Sequence, residues 1–517
     1  MKQQHDSGTL ILEKIAGPAA VFLRHYRLPF CASFLFGLLA YGYVFTNKLV
    51  NHDEVSSLFT KGATVTSGRW GLGALDSIFP NYSMPWIYGL ITVLLIALSV
   101  CVLISLFGIR NRLLQVLLSG SVMAFPSLIG LFGYMFTSSS FALAFFLAVF
   151  SAALVRQCKT LPLLLGLGCL VFSLSIYQSY ISVAAGLLVV ILIQQLLQGE
   201  KFQTVLVRGI GFVVFLIMAL GIYYLGTQVV LRLTGNVLNG YASENLAFSL
   251  HSVLTGITLA YSSFVRFFAE GFLGLIPTAF SRLLHWALLG SLLVLFLGHT
   301  VFNFKKHPVQ TGLLILLLAV FPLAINCMYM ITTVESIHTL VMYGFVCFYV
   351  LAVVVSDHVL NSWKPLRFSS AVLNVLTSVM AFSIAVNIYV ANQAYLHLQL
   401  RYENAAAFYT SLIADIKITP GFDEHTKLAL VGNYQQPEYY SQQFEQLHAI
   451  TGIYGFVPDS YSKNYFMEYY IGFPIPFASE EEIRQIQTKP EFEAMAVYPY
   501  YGSVQKIDDF LVVKLSR

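Results

Sequence analysis

Charge is what this chain has least of: Asp, Glu, Lys and Arg make up only 10% of its 517 residues, against about 25% in soluble globular proteins. Water cannot be its main solvent, and 57% apolar residues with a mean hydropathy of +0.72 point to lipid. The formal net charge of +4 is too small to argue for nucleic acid as a partner. Cysteine is sparse as well. Cys31, Cys101, Cys169, Cys327 and Cys347 fall inside apolar runs and Cys158 in a basic loop, so neither a disulfide framework nor a metal spacing is visible. No Walker loop, no G-x-G-x-x-G opening a helix after a strand, no H-E-x-x-H and no usable G-x-S-x-G is present. Nucleotide-driven and serine-hydrolase chemistry are therefore unsupported. The first 27 residues lack the basic start, short apolar core and A-x-A site of a cleaved signal, which leaves the first apolar run as the expected insertion signal.

What the chain does have is a series of apolar runs, each near the roughly 20 residues a membrane crossing needs. They fall near 28–47, 85–107, 113–133, 140–155, 161–177, 180–198, 209–231, 283–302, 309–330, 339–355 and 369–393. Alternate connections carry the cations: Lys14, Arg24 and Arg27, then Arg110 and Arg112, Arg156 and Lys159, Lys201 and Arg208, Lys305 and Lys306, and Lys364 and Arg367. Positive charge in short loops marks the cytoplasmic side, so the loops 48–84 and 232–282 and the segment after 393 are expected outside. Both loops exceed what a connector requires. Within the second, Ser249 to Phe268 mixes apolar and polar residues as an interfacial amphipathic helix would.

After 393 the composition turns polar. Tyr395 to Ile416 reads as a helix stopped by Pro420-Gly421, and Lys427 to Val431 as a strand. Ser479 to Glu482 is a capping box opening a helix to about Lys489, with further strands expected at Ala494 to Tyr498 and Phe510 to Leu515. The expected fold is thus an all-α polytopic membrane bundle of about 11 transmembrane helices with a small C-terminal α/β extracytoplasmic domain. Its parts are a cytoplasmic segment 1–27, a membrane domain 28–393 and the extracytoplasmic domain 394–517.

Asn51-His52-Asp53-Glu54 follows the first span, where a carboxylate near the membrane surface suits a general base for an acceptor hydroxyl; a solvated loop charge is the plainer alternative. Gly68-Arg69-Trp70-Gly71 offers an arginine fork for phosphate and glycines that allow close backbone approach, or else an interfacial anchor. Arg232, Arg266 and Arg282 add cations that meet either a substrate phosphate or lipid. Tyr177-Gln178-Ser179-Tyr180 forms a polar hairpin tip that lines a cavity or bonds across helices. Glu335 and His338 share a short loop, as second-line acid/base groups or simple loop charges, and are too few for a metal. The tail tyrosines Tyr434, Tyr439, Tyr440, Tyr461, Tyr465, Tyr469 and Tyr470 suit carbohydrate stacking or core packing equally.

Taken in order, Asp53-Glu54, Gly68-Arg69-Trp70, Tyr177-Gln178-Ser179, Pro420-Gly421-Phe422 before the Leu428 to Gly432 strand, and Val512-Val513-Lys514-Leu515 resemble the membrane-embedded serotype-converting O-antigen glucosyltransferases of type II, of the GT-C class. The resemblance implies inverting transfer of a hexose, glucose in the first place, from a polyprenyl-phosphate carrier to a cell-surface polysaccharide, outside the bacterial cytoplasmic (inner) membrane. It implies Asp53 as first choice of base and Glu54 as second, and Arg69 near the donor phosphate; no cofactor is expected beyond the polyprenyl-phosphate sugar donor, and the residues leave metal dependence open. The family's loop often shows two aspartates where this chain has Asp53-Glu54. A flippase and a polyprenyl-phosphate sugar synthase are the expected pathway partners, beside membrane lipids, the lipid-linked donor and the polysaccharide acceptor. The rival readings are a transporter or flippase of lipid-linked glycans, which predicts buried ionisable residues at mid-span, and a non-catalytic envelope-assembly scaffold.

Overall fold

The computed structural model describes residues 17, 20–59, 64–78, 82–240, 250–271, 279–304, 307–333, 337–362, 367–433, 444, 447, 449–453 and 462–516. Each of the eleven expected spans is occupied by a helix: α1 (Arg27–Thr46), α4 (Pro85–Phe107), α5 (Arg112–Met123) with α6 (Pro126–Gly133), α7 (Met135–Val155), α8 (Thr160–Ile176), α9 (Ile181–Leu197), α10 (Phe202–Thr234), α12 (Ala279–Phe304), α13 (Pro308–Ile325), α14 (Val346–Ser362) and α15 (Arg367–Ile418). Among the described residues nine helices are long and apolar enough to cross a membrane. The exceptions are instructive. α5 and α6 are bent by 42° at their junction, because Pro126 cannot continue a helix but starts one well, and α8 is a single 17-residue helix. Local signals set the ends elsewhere: Pro85 opens α4, Gly108 closes it at φ 64°, and the Asn111 side chain accepts from the Leu114 N–H to cap α5.

α9 lies at the centre, with nearly every residue buried, whereas α10 is on the rim and exposes Val207, Ile210, Val213 and Ile217. Exposed aliphatic side chains in that number are ordinary only where lipid covers them. α11 (Leu250–Ala269), the expected amphipathic stretch, packs one face into the bundle. Its Phe267 stacks on Phe345 at 4.6 Å, and the Tyr261 hydroxyl donates to the Ala319 carbonyl.

The largest departure from expectation is α15. The span at 369–393 and the helix at 395–416 are one uninterrupted 52-residue helix. It contains no glycine or proline, so only Pro420 and Gly421, at φ 85°, end it. The tail then forms a three-stranded sheet in the order β1 (Lys427–Val431), β3 (Phe510–Lys514), β2 (Val504–Ile507). β1 runs parallel and β2 antiparallel to β3, with the capped helix α16 (Glu480–Gln487) beside it. Ala494 to Tyr498 is not a strand, since it contributes only the Tyr498 N–H to the Lys514 carbonyl and Pro499 has no N–H with which to extend the pairing.

The C-terminal core is shared with the first loop. Val50 and Val55, both fully buried, pack with Tyr409, Leu412, Phe466, Met467 and Leu511. That apolar contact clamps the first loop between the bundle and the C-terminal domain.

Candidate active site

Asn51 begins the arrangement. Its side chain accepts from the Glu54 N–H at 2.8 Å and donates to the Gly133 carbonyl at 2.7 Å. It therefore caps the short helix α2 (His52–Ser56) and ties it to the end of α6. This makes the two neighbouring acids unlike. The Glu54 side chain is wholly enclosed, paired with the Lys48 ammonium at 2.5 Å and accepting the Phe136 N–H at 3.3 Å in the first turn of α7. A helix N-terminus favours a carboxylate there. Burial nevertheless pushes the Glu54 carboxyl above its ordinary range, with Lys48 acting against that rise. Lys48 also donates to Ser83. Asp53, one residue earlier, is 43% exposed and lies 3.7 Å from His52 Nε2. Of the two, Asp53 has the reach to meet a substrate.

Fifteen residues on, Gly68 takes φ 72°, a left-handed conformation in which a side chain would be strained, and a Cβ there would press on the Tyr223 hydroxyl. At Gly71 a Cβ would overlap the Ser175 hydroxyl of α8. The segment is fastened by Gln178, which donates to the Ser67 carbonyl and the Tyr223 hydroxyl, and by Tyr223, which donates to the Gly68 carbonyl. Trp70 packs on Gly226 of α10 as the first residue of α3 (Trp70–Ile78). The Arg69 guanidinium is thereby laid over two stacked rings, 5.2 Å from the Tyr177 centroid and 5.8 Å from that of Phe141. Its buried Nε has no hydrogen-bond partner, and among the described residues no carboxylate pairs with it. A cationic fork held over aromatic rings, with no acid paired to it among the described residues, is fitted to an anion.

His338 also feels Arg69. Burial first and the Arg69 charge second push its imidazole down to about 4, so it is neutral at pH 7. The structure therefore brings Arg69, Trp70, Tyr177, Gln178 and His338 together. Asp53 and Glu54 lie near the same helix, since Glu54 meets α7 at Phe136 and Arg69 meets it at Phe141, about 7.5 Å further along the axis. Arg232 and Arg282 are exposed on α10 and α12, and Arg266 on α11 pairs with Glu270 at 2.9 Å. Glu335, Tyr434, Tyr439, Tyr440 and Tyr461 lie outside the described residues. Of the other tail tyrosines, Tyr469 packs on Phe59 and Tyr465, and Tyr470 stacks on Phe466. No group of three metal-ligand side chains occurs among the described residues.

Lys48, Phe141 and Tyr223 were not singled out in the sequence, nor was Asp76, a second buried carboxylate of the first loop. A motif search has no handle on them, because their partners lie across loops or in other helices.

A family model described as Glucosyl transferase GtrII matches residues 42–350, a segment that includes every candidate residue of the bundle site. No match was found among curated proteins or among solved structures.

Proposed function

This chain belongs to the glucosyl transferase GtrII family, and from that premise we propose that it moves glucose from a polyprenyl-phosphate carrier to a cell-surface polysaccharide on the outer face of the bacterial cytoplasmic membrane. The observation that carries the proposal is the presence, within one loop, of an exposed carboxylate and of an arginine that no carboxylate among the described residues neutralises. Asp53 takes the proton of the acceptor hydroxyl as that oxygen forms its bond to the anomeric carbon. The bond from that carbon to the phosphate oxygen breaks on the opposite side, so the configuration inverts. The electron pair leaves with the lipid phosphate, whose charge the Arg69 fork receives. Glu54, buried against Lys48, holds the loop rather than touching the sugar. The scheme uses no cofactor, and a lipid tail kept in the bilayer positions the donor beside the loop.

A transporter would need charged groups along its path, and each candidate span here carries at most two in its apolar window. The deciding experiment compares surface glycans from cells with and without the gene, together with transfer in proteoliposomes supplied with polyprenyl-phosphate glucose. A side-branch glucose lost with the gene, and transfer that needs the lipid donor, are the expected results. Unchanged glycans, or efficient transfer from a nucleotide sugar alone, would sink the reading.

A further inference from the structure

The C-terminal domain holds a cleft that the transfer chemistry leaves unused. It is an open groove of about 1300 Å³ between α15 and the end of the chain, larger than the roughly 300–1,000 Å³ of a small-molecule pocket. One wall is a single helical face, because Asn404, Ala407, Phe408 and Ser411 recur at i, i+3, i+4 and i+7. The other is the turn Val497-Tyr498-Pro499-Tyr500.

The chemistry of the walls narrows the occupant. Tyr498 is fixed, its ring edge-on to Phe408 at 5.5 Å and its hydroxyl donating to Asp415 at 2.9 Å. Tyr500 of the lining is 73% exposed, its ring presented to water rather than packed, and Tyr501, next in the chain and just outside the lining, is fully exposed. The one cation of the lining, Lys514, gives its ammonium to the carbonyls of Phe492, Glu493 and Met495 and has no proton left to donate. Among the described residues the walls thus offer aromatic rings, an amide and hydroxyls, with Glu493 the one carboxylate. No cation among the described lining residues has a proton left for a phosphate or a polyanion. A bilayer surface is out of reach too, since Asn404 stands eleven residues past the point where α15 turns polar, about 16 Å along the helix.

We propose that this cleft seats several consecutive sugars of the acceptor polysaccharide. The claim rests on the transfer reading above, which supplies the polymer. Its test uses the purified full chain in detergent and, as probe, the surface polysaccharide of the producing cells, released by mild acid, freed of lipid and cut to short oligosaccharides. Saturation-transfer NMR should show the probe bound to the wild type. The Tyr500→Ala/Tyr501→Ala double variant should bind about tenfold more weakly, as loss of aromatic contacts predicts. Ser411→Trp, which fills the groove from an exposed helix position, should do the same without lowering the melting temperature. In proteoliposomes both should raise KM for the polymer and leave kcat near wild type. Equal binding by all three proteins, or capture of unrelated peptides in place of the oligosaccharide, would overturn the inference. Binding by the wild type without any sugar transfer would defeat the transfer reading and leave the glycan cleft standing.

Discussion

Lys48 and Glu54 meet at 2.5 Å with the carboxylate wholly enclosed and the ammonium about a quarter exposed. Removing one member of a buried pair strands the other, at a cost of about 3–5 kcal/mol. Lys48→Met should therefore lower the melting temperature sharply in detergent, and Lys48→Met/Glu54→Leu should recover much of it. Burial already raises the Glu54 pKa, and loss of Lys48 raises it further. The native state of the single variant then holds its proton more tightly than the unfolded chain, so its deficit grows as pH rises above 4.5. A single variant as stable as wild type at pH 7 would show the pair to be idle.

Asp53→Asn keeps the shape of the exposed side chain and removes its proton affinity. Transfer from polyprenyl-phosphate glucose should fall by roughly 10²–10⁴, with protein level and melting temperature unchanged. Glu54→Gln should instead lower stability first and activity with it. Near-normal turnover by Asp53→Asn would remove Asp53 as the base.

Arg69→Lys retains charge but loses the planar fork and much of the stacking on Tyr177 and Phe141. We expect weaker donor use, read as a raised KM for the lipid-linked sugar, and a partial return when the donor is in excess. Equal KM values for the two proteins would place the phosphate elsewhere.

Gly71→Ala drives a methyl into the Ser175 hydroxyl and should cost about 1–3 kcal/mol as an overpacked contact. The damage should spread to Arg69, two residues away. Gly71→Ala/Ser175→Gly should restore part of both stability and transfer, measured side by side on the purified variants.

His338 is pushed from 6.5 down to about 4. The unfolded chain takes up a proton that native His338 refuses, so stability should drop as pH falls from 6.5 toward 4. His338→Gln should flatten this part of the curve by about 3 kcal/mol at its acid end. Thermal unfolding at several pH values would show it, and parallel curves for variant and wild type would count against the buried, Arg69-facing placement.

Sidedness can be read with the native thiol Cys158, exposed between α7 and α8. In intact cells a membrane-impermeant thiol reagent should spare Cys158 and label an added Glu481→Cys on α16. The reverse pattern would invert the proposed orientation.

The spans were legible because lipid selects runs of about 20 apolar residues, and that signal survives in a single sequence. The reading of 369–393 and 395–416 as separate helices missed their continuity for a related reason: polarity changes at 393, but polarity does not end a helix and nothing in α15 breaks it. In the tail, β1, β3 and the Ser479 cap announced themselves through buried aliphatic runs and the spacing of Ser479 to Glu482. β2 did not, because Val504–Ile507 is an edge strand whose two middle residues, Gln505 and Lys506, are exposed. The glycines around Arg69 were readable as places of close approach. Its resting place on Phe141 was not, for the contact joins residues 72 positions apart, and no periodicity encodes it. The Lys48–Glu54 pair lies close in sequence but straddles the break between α1 and α2, where helical spacing rules lose their force.

The length of α15 has a mechanical consequence. At 52 residues it is a rod about 78 Å long, and it has no hinge. A tilt of about 5° at its membrane end swings the far end by about 7 Å, on the order of one sugar ring. Bilayers of different thickness impose different tilts on such a helix. Because Val50 and Val55 of the first loop pack on Tyr409 and Leu412 of the rod, a tilt imposed at its membrane end is passed to the loop and the C-terminal domain together.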